Sequence, residues 1–167
     1  MRYPGVNRRR CGWLLAFGAW IALGAVAEGA EWHVRPGESI AQAVRQARAG
    51  DTITVKRGDY QEHVLIDKPL TLRGHDRPTL SGNDQGDVIR VKAPDVTIEG
   101  MIIRDSGVDL TAQNAGIYIE PGAHRAAVRN NDIVHTLFGL WIERANDVEI
   151  ANNLIVGRRD LQSAQRG

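Results

Sequence analysis

A short pattern that recurs along the second half of the chain restricts the fold more than any other sequence feature. In each copy two apolar residues lie one position apart and are followed by glycine or asparagine. These two residue types adopt left-handed backbone most readily. Four copies occupy residues 70–74, 96–100, 126–130 and 148–152, and their closing residues are 22 to 30 positions apart. A period of this length is typical of stacked structural repeats.

Two further short apolar segments accompany each copy. One follows the closing residue directly, at 102–103, 133–134 and 155–156, and the other recurs at 88–92, 116–120 and 139–143. Three short strands in roughly two dozen residues are typical of a β-helix. A leucine-rich repeat of similar length would show leucines at fixed positions, and these repeats do not. Since parallel crossovers are overwhelmingly right-handed, the sequence predicts an all-β, right-handed parallel β-helix.

The segment before the repeats predicts a cap for this solenoid. Ser39 precedes Gln42 by three residues, which is a capping-box pattern, and residues 49–51 supply the end of a short amphipathic helix. A helix of this kind covers the first coil, whose core and strand edge would otherwise be exposed. We therefore divide the chain into a leader (1–27), a cap with a helix and the first strands (28–67) and β-helix coils (68–167).

The C-terminal residues repeat an earlier register. Leu110 lies six residues before Gly116, Leu161 lies six residues before Gly167, and each leucine follows an aspartate. Gly167 therefore corresponds to the first residue of a further strand. From this register we expect the β-helix to be truncated, with its last coil incomplete.

The first 27 residues have the composition of a cleavable export signal. Four arginines precede an uncharged stretch from 11 to 27, which ends in the small-x-small pattern Ala25-Val26-Ala27. We expect cleavage near Ala27 and a periplasmic mature chain, with an uncleaved anchor as the alternative. Arg8-Arg9 leaves the choice between the general and twin-arginine export routes open.

Removal of this leader changes the charge of the chain. The leader carries four of the 21 Lys and Arg residues and none of the 20 Asp and Glu residues, so the mature chain has a formal charge of −3. Nucleic-acid binding, which needs a basic stripe, is not expected. The only cysteine, Cys11, leaves with the leader, so the mature chain has no disulfide or thiolate ligand.

One outward-facing row of side chains is a candidate binding surface. Strand alternation places Arg90, Tyr118 and Trp141 on the outer face of the third strand of successive coils, about 4.8 Å apart. Such a ladder of planar groups fits sugar rings or a protein partner. The alternative, which we favour, is a ladder that only stabilises the stack.

Two loops that leave the same corner of the coils form a second candidate surface. The first contains Asp109 and Leu110, and the second contains Arg159, Asp160 and Leu161. Two strand spacings separate them by about 10 Å. Charged loops on a rigid scaffold suit partner docking, although they serve equally well to solvate the surface.

Metal ligands and catalytic residues are sparse. His124 and His135 are the pair most worth testing for a metal, copper being the one cofactor to consider. The sequence has no Asp-Pro-His-Asp motif and no Gly-Gly-x-Gly-x-Asp calcium repeat. We therefore assign no catalytic residue and expect a non-enzymatic protein.

The order of these segments resembles the NosD family. The residues that carry the likeness are 68–74, 86–91, 93–100, 113–122, 138–143, 159–161 and 166–167. The resemblance implies a periplasmic maturation factor that works with the membrane and ATPase subunits of an ABC transporter. Its client would be nitrous oxide reductase, whose copper–sulfur centre it helps to assemble. The alternative is an exported polysaccharide lyase, epimerase or carbohydrate-binding β-helix protein.

Overall fold

Short strands of three to five residues recur along residues 29–161, which the computed structural model describes. The leader and Gly167 lie outside the described residues. The elements in chain order are β1 (Glu31–Val34), α1 (Ile40–Gln46), β2 (Thr52–Lys56), β3 (Asp59–Gln61), β4 (Val64–Ile66), β5 (Thr71–His75), β6 (Thr79–Ser81), β7 (Ile89–Val91), β8 (Thr97–Glu99), β9 (Ile102–Arg104), β10 (Ala115–Ile119), β11 (Ala127–Arg129), β12 (Asp132–Thr136), β13 (Phe138–Ile142), β14 (Glu149–Ala151) and β15 (Leu154–Gly157). Within residues 29–161, no helix has the length and apolar character needed to cross a membrane.

The strands form three parallel sheets in which neighbours come from successive coils. The first sheet has the order β1-β2-β5-β8-β11-β14, the second β15-β12-β9-β6-β3, and the third β13-β10-β7-β4. The chain visits the three sheets in turn, which confirms the predicted parallel β-helix. The segment 28–67, predicted as a cap, also contributes strands to these sheets: β2 belongs to the first, β3 to the second and β4 to the third.

The core consists of aliphatic side chains stacked one above another. In the first sheet the register aligns Ile53, Leu72, Ile98 and Val128, none of which is more than 1% exposed. Full burial of each such side chain stabilises the fold by about 1.5–3 kcal/mol. In the last described coil, the equivalent Ile150 is 45% exposed because no described strand lies beyond it.

The cap helix confirms the predicted N-cap and corrects the predicted capping partner. Ser39 Oγ accepts a hydrogen bond from the Gln42 backbone N–H (3.1 Å), as a capping box requires. The carboxylate that completes the cap belongs to Glu62, from the loop after β3, and not to the side chain of Gln42. It accepts hydrogen bonds from the Ser39 hydroxyl (2.7 Å) and the Ile40 backbone N–H (2.6 Å). Sequence spacing could not show this partner, because Glu62 is more than 20 residues away.

The closing residues of the repeats allow close approach between coils. A Cβ atom on Gly74 would collide with the carbonyl group of Gly100, so that turn requires glycine. Gly100 itself has a φ of +74°. The later copies use Asn130 and Asn152 with φ near +55°, since asparagine tolerates left-handed backbone at a small cost.

A buried asparagine after the first-sheet turn ties three coils together. The Asn131 side chain donates to the Ile98 carbonyl and accepts from the Met101 N–H, both at 3.0 Å. Asn153 repeats the arrangement one coil later, where its Nδ2 donates to the Val128 carbonyl (2.8 Å). These amides satisfy backbone groups that the turn removes from the sheet ladder.

We expect Asn131→Ala to lower the free energy of unfolding by about 2–4 kcal/mol, because two buried backbone groups lose their partners. Urea denaturation followed by circular dichroism measures this change. Asn146→Ala, at an exposed turn position, is the matched control and should change stability by less than about 0.5 kcal/mol. Equal losses in the two variants would contradict the buried role of Asn131.

Candidate functional site

The predicted ladder residues share one row across the third sheet. The register pairs Arg90 with Tyr118 and Tyr118 with Trp141. The Arg90 guanidinium carbon lies 4.2 Å from the centroid of the Tyr118 ring. Trp141 packs instead against Phe138, with ring centroids 4.9 Å apart. Because Arg90 covers the Tyr118 ring and Tyr118 is only 5% exposed, the ring has little surface left for a ligand.

Charged groups flank this row and are paired with one another. Arg90 lies between two carboxylates, 3.3 Å from Asp87 and 2.8 Å from Glu120. The Tyr118 hydroxyl donates to Glu143 (2.8 Å). Burial raises the pKa of Asp87, although the hydrogen bond from the Ala115 N–H opposes the increase. The row and its flanks therefore form a charge-paired, well-packed sheet face.

The second candidate surface is the corner reached by the loops after β6, β9 and β15, together with His135 of β12. We call this set the corner cluster; its members are Asp84, Asp105, Ser106, His135, Arg158 and Asp160. Each member lies within about three residues of the end of its second-sheet strand. Parallel stacking brings these strand ends to one edge, so residues far apart in sequence meet there.

An arginine whose side chain is largely enclosed lies at the centre of the corner cluster. The Arg158 side chain is 9% exposed and donates to Asp84 (2.6 Å), the Ser106 carbonyl (3.2 Å) and Asp160 (2.8 Å). The hydrogen bond from Arg158 lowers the pKa of Asp160 to about 2. Sequence analysis did not select Arg158, because nothing in the pair Arg158-Arg159 indicates which side chain turns inward.

His135 occupies a β-bulge at the edge of the same cluster. The register between β12 and β15 shifts between Val134 and Thr136, and the extra residue His135 has a φ of +53°. Its Nδ1 lies 2.7 Å from Asp105 Oδ1 and its Nε2 lies 3.5 Å from Asp160 Oδ1. Bulges of this type redirect a side chain away from its strand and are common beside functional sites.

Asp105 is the most heavily bonded carboxylate of the corner cluster. It accepts hydrogen bonds from the Ser81 hydroxyl and from Arg104 Nε, both at 2.8 Å, besides its contact with His135. Burial alone would raise the pKa of Asp105. The hydrogen bonds from Ser81, His135 and Arg104 outweigh burial and hold this pKa below its usual range.

The structure places His124 and His135 at different corners of the coils, and the pair as a metal site stays a prediction. His124 precedes β11, and its Nδ1 accepts the Asn146 backbone N–H (3.0 Å) at the corner between the third and first sheets. His135 instead lies near the C-terminal end of β12, a strand of the second sheet. Among residues 29–161, the group with three potential ligands in reach is Asp84, Asp105 and His135, whose ligand atoms lie within 4.8 Å of one another.

The guanidinium group of Arg158 disfavours a cation at that group. Arg158 is bonded to Asp84 itself, so a metal ion there would lie against an existing positive charge. Two unit charges at contact distance repel by about 4 kcal/mol at the effective dielectric near a protein surface, and a divalent ion doubles this value. The group is therefore better described as a hydrogen-bond network that contains an arginine than as a metal site.

The predicted docking residues belong to the two loops that supply Ser106 and Asp160 to the corner cluster. The Asp109 carboxylate accepts the backbone N–H groups of Thr111 (2.8 Å) and Ala112 (3.2 Å), so it shapes its own loop. Leu110 is 43% exposed and its neighbour Val108 is 49% exposed. On the second loop Arg159 is exposed and Leu161 is half-buried, beside Asp160.

The fold and the site together define a parallel β-helix protein in which ion pairs and hydrogen bonds join the loops at one corner. No family model matches the chain. It is 34% identical over 110 residues to the "Probable ABC transporter binding protein NosD" of Stutzerimonas stutzeri, a match that covers 66% of this chain and 25% of that protein. A protein of the same name from Pseudomonas aeruginosa is 32% identical over 110 residues, covering 66% of this chain and 26% of that protein.

A match to a shorter NosD sequence from Pseudomonas aeruginosa establishes the family of this chain. It is 32% identical over 74 residues, which are 44% of this chain and 68% of that sequence. The chain belongs to the NosD family, and it spans about a quarter of the length of the two longer relatives.

A solved structure supports the fold alone. The chain resembles a pectin methylesterase mutant crystallised with a hexasaccharide, with a TM-score of 0.57 and 18% sequence identity. The match covers 79% of this chain and 58% of the esterase. At this level of identity the likeness extends to the β-helix architecture and not to its chemistry.

We expect Arg158→Gln to raise the pKa of Asp160 from about 2 towards 3.8, its usual value, because the charged donor that stabilises the carboxylate is lost. In the unchanged protein this carboxylate contributes stability above its unfolded pKa, and the contribution is lost as the pH falls through about 2. Carboxyl carbon chemical shifts from NMR titration measure the shift. Arg144→Gln, which removes a pairing to Glu143 only, is the control; an unchanged Asp160 titration in Arg158→Gln would contradict the assignment.

Proposed function

We propose that the chain acts as a periplasmic accessory protein for maturation of nitrous oxide reductase, together with an ABC transporter. The observation that carries the proposal is membership of the NosD family, whose relatives bear the name "Probable ABC transporter binding protein". The predicted leader at residues 1–27 supports a place outside the cytoplasm. In this role the copper–sulfur centre belongs to the client enzyme.

We propose that the contribution of this chain is binding rather than catalysis. The corner cluster supports this view, because Asp84 and Asp160 are bonded to Arg158, and Asp105 is bonded to Arg104. A general acid or base needs a proton that it can exchange with a substrate at the working pH. Carboxylates that are hydrogen-bonded to guanidinium groups serve better as fixed charges on a docking surface.

The loop that follows β9 is the part of the corner best suited to contact a partner. Its base is fixed by two hydrogen bonds, from the Gly107 N–H to the Gly86 carbonyl (2.8 Å) and from the Asp109 N–H to the buried Asn114 side chain (3.0 Å). Its tip presents the apolar side chains of Val108 and Leu110. A rigid apolar tip with acidic neighbours fits a partner that has an apolar depression and a basic rim.

We expect deletion of the gene to leave nitrous oxide reductase exported but without its copper–sulfur centre. The absorption spectrum and copper content of the purified reductase measure the loss, and the gene supplied on a plasmid should restore both. Normal nitrous oxide reduction in the deletion strain would refute the proposed function.

We expect the double variant Val108→Ser, Leu110→Ser to weaken co-purification with the transporter or the reductase by about tenfold, as removal of an apolar contact at an interface does. Both side chains are about half exposed, so the fold should persist. Leu65→Ser is the matched control, since Leu65 is 45% exposed on the outer face of the third sheet. Undiminished binding of the double variant, or an equal loss in the control, would show that the loop does not dock the partner.

A further inference from the structure

The first strand of the first sheet, β1, has one open edge. Among the described strands it pairs with β2 alone. The Thr52 N–H donates to the Ala30 carbonyl (2.9 Å), so the main-chain groups of every second residue, beginning with Ala30, face β2. The N–H and C=O groups of Glu31 and His33 therefore face away from the sheet. Within residues 29–161, they take part in no backbone hydrogen bond.

A depression of about 500 Å³ lies along this edge, between β1 and the cap helix α1. Trp32 and Val34 line it from the strand, Ala43 and Gln46 line it from the helix side, and Glu38 belongs to the turn that joins the two elements. Successive side chains of a strand point to opposite faces. An extended segment laid beside β1 would therefore direct every second side chain into the depression.

Two carboxylates at this edge retain their negative charge without a cationic partner. The Glu31 carboxylate accepts the Thr54 hydroxyl (3.0 Å), and that of Glu38 accepts the Arg35 backbone N–H (2.7 Å), so both donors are neutral. His33 Nδ1 lies 3.9 Å from Glu31, and no Lys or Arg nitrogen within residues 29–161 forms an ion pair with either carboxylate. The arginines at this end lie outside the wall of the depression: Arg35, Arg45 and Arg48.

The negative charge of this end also acts on the core beneath the cap. Tyr60 is 4% exposed, and its hydroxyl donates to the Lys56 carbonyl (2.9 Å). Burial raises the pKa of this hydroxyl, and the charges of Glu38 and Glu62 raise it further. A positive group that enters the depression would compensate this charge.

We propose that the open edge of β1 binds an extended basic segment of another protein by β-strand addition. The segment pairs through its main chain with Glu31 and His33, directs small apolar side chains towards Trp32 and Ala43, and places Lys or Arg beside Glu31 and Glu38. In this mode of recognition the main-chain hydrogen bonds supply affinity, and the pockets for alternate side chains supply specificity.

The inference goes beyond the proposed function and does not depend on it. The edge belongs to the first strand of the chain, whereas the surface assigned to the transporter or the reductase is the loop after β9. Peptide binding can be measured on the purified chain alone.

Fluorescence-anisotropy titration of the purified chain with labelled synthetic pentapeptides tests the proposal. The probe is Lys-Val-Thr-Val-Lys, in which valine alternates with polar residues. We expect saturable binding of this peptide. Binding should be at least about tenfold weaker when its three central residues are N-methylated, because main-chain hydrogen bonds are lost. It should also be weaker for Glu-Val-Thr-Val-Glu, whose charges are repelled by the carboxylates of the edge.

Glu38→Lys should reverse the preference between the basic and the acidic peptide, because a lysine in the wall repels the first and attracts the second. Asp59→Lys adds the same charge at an exposed position of β3, in the second sheet, and should retain the preference. His33→Pro removes an edge N–H that β2 does not use and should weaken the binding of the basic peptide by about tenfold. Circular dichroism checks the fold of each variant. Glu38→Lys, at an exposed turn position, covers the case in which His33→Pro does not fold.

An absence of binding by the basic peptide at about 1 mM would overturn the proposal. Equal binding of the N-methylated peptide would rule out strand addition, and an unchanged preference in Glu38→Lys would rule out the acidic edge as its determinant. Dimerisation that His33→Pro abolishes, measured by sedimentation, would assign the edge to a second copy of the chain instead of a peptide. Normal nitrous oxide reduction in the deletion strain would leave all of these titrations unchanged, so the two proposals fail separately.

Discussion

Every other feature of this molecule depends on the stacking of each coil on the next at one fixed parallel register. Backbone hydrogen bonds between successive coils hold equivalent residues about 4.8 Å apart, so one apolar position per strand becomes a continuous column. Ile53, Leu72, Ile98 and Val128 form one such column. The same register places Asn153 above Asn131, so the buried amides can satisfy the turns of neighbouring coils. A slip of one residue would turn the apolar face outward and break both arrangements.

The fold could be predicted because this register requires apolar residues to recur at a regular interval in the sequence. Paired apolar residues closing on Gly74, Gly100, Asn130 and Asn152 marked the first sheet, and the structure places a strand at each. The short strand β3 was less visible, because Tyr60 is its only buried residue and three residues carry little periodicity. Contacts that span coils were not predictable either. Glu62 caps a helix that lies more than 20 residues before it, and no local pattern announces such a partner.

The sequence predicted where the candidate site lies, but it did not predict all of the residues that form it. Sequence analysis selected the loops that leave one corner, and those loops do meet at the corner cluster. It did not select Arg158, whose burial follows from three acceptors contributed by separate coils. The same arginine changes what the acidic residues can do, since carboxylates that already hold a guanidinium are poorly placed to hold a metal ion. Charge pairing thus converts a group with the ligand types of a metal site into a rigid surface of fixed charges.

The left-handed backbone at His135 also determines how this corner can vary. The equivalent residue one coil below is Asp105, because Val134 pairs with Arg104, and its φ of +59° is close to the +53° of His135. Each of the two is followed by a fully buried residue, Ser106 or Thr136. The corner therefore contains one outward position per coil whose side chain can be a carboxylate in one coil and an imidazole in the next, while the buried residue that follows it keeps its place.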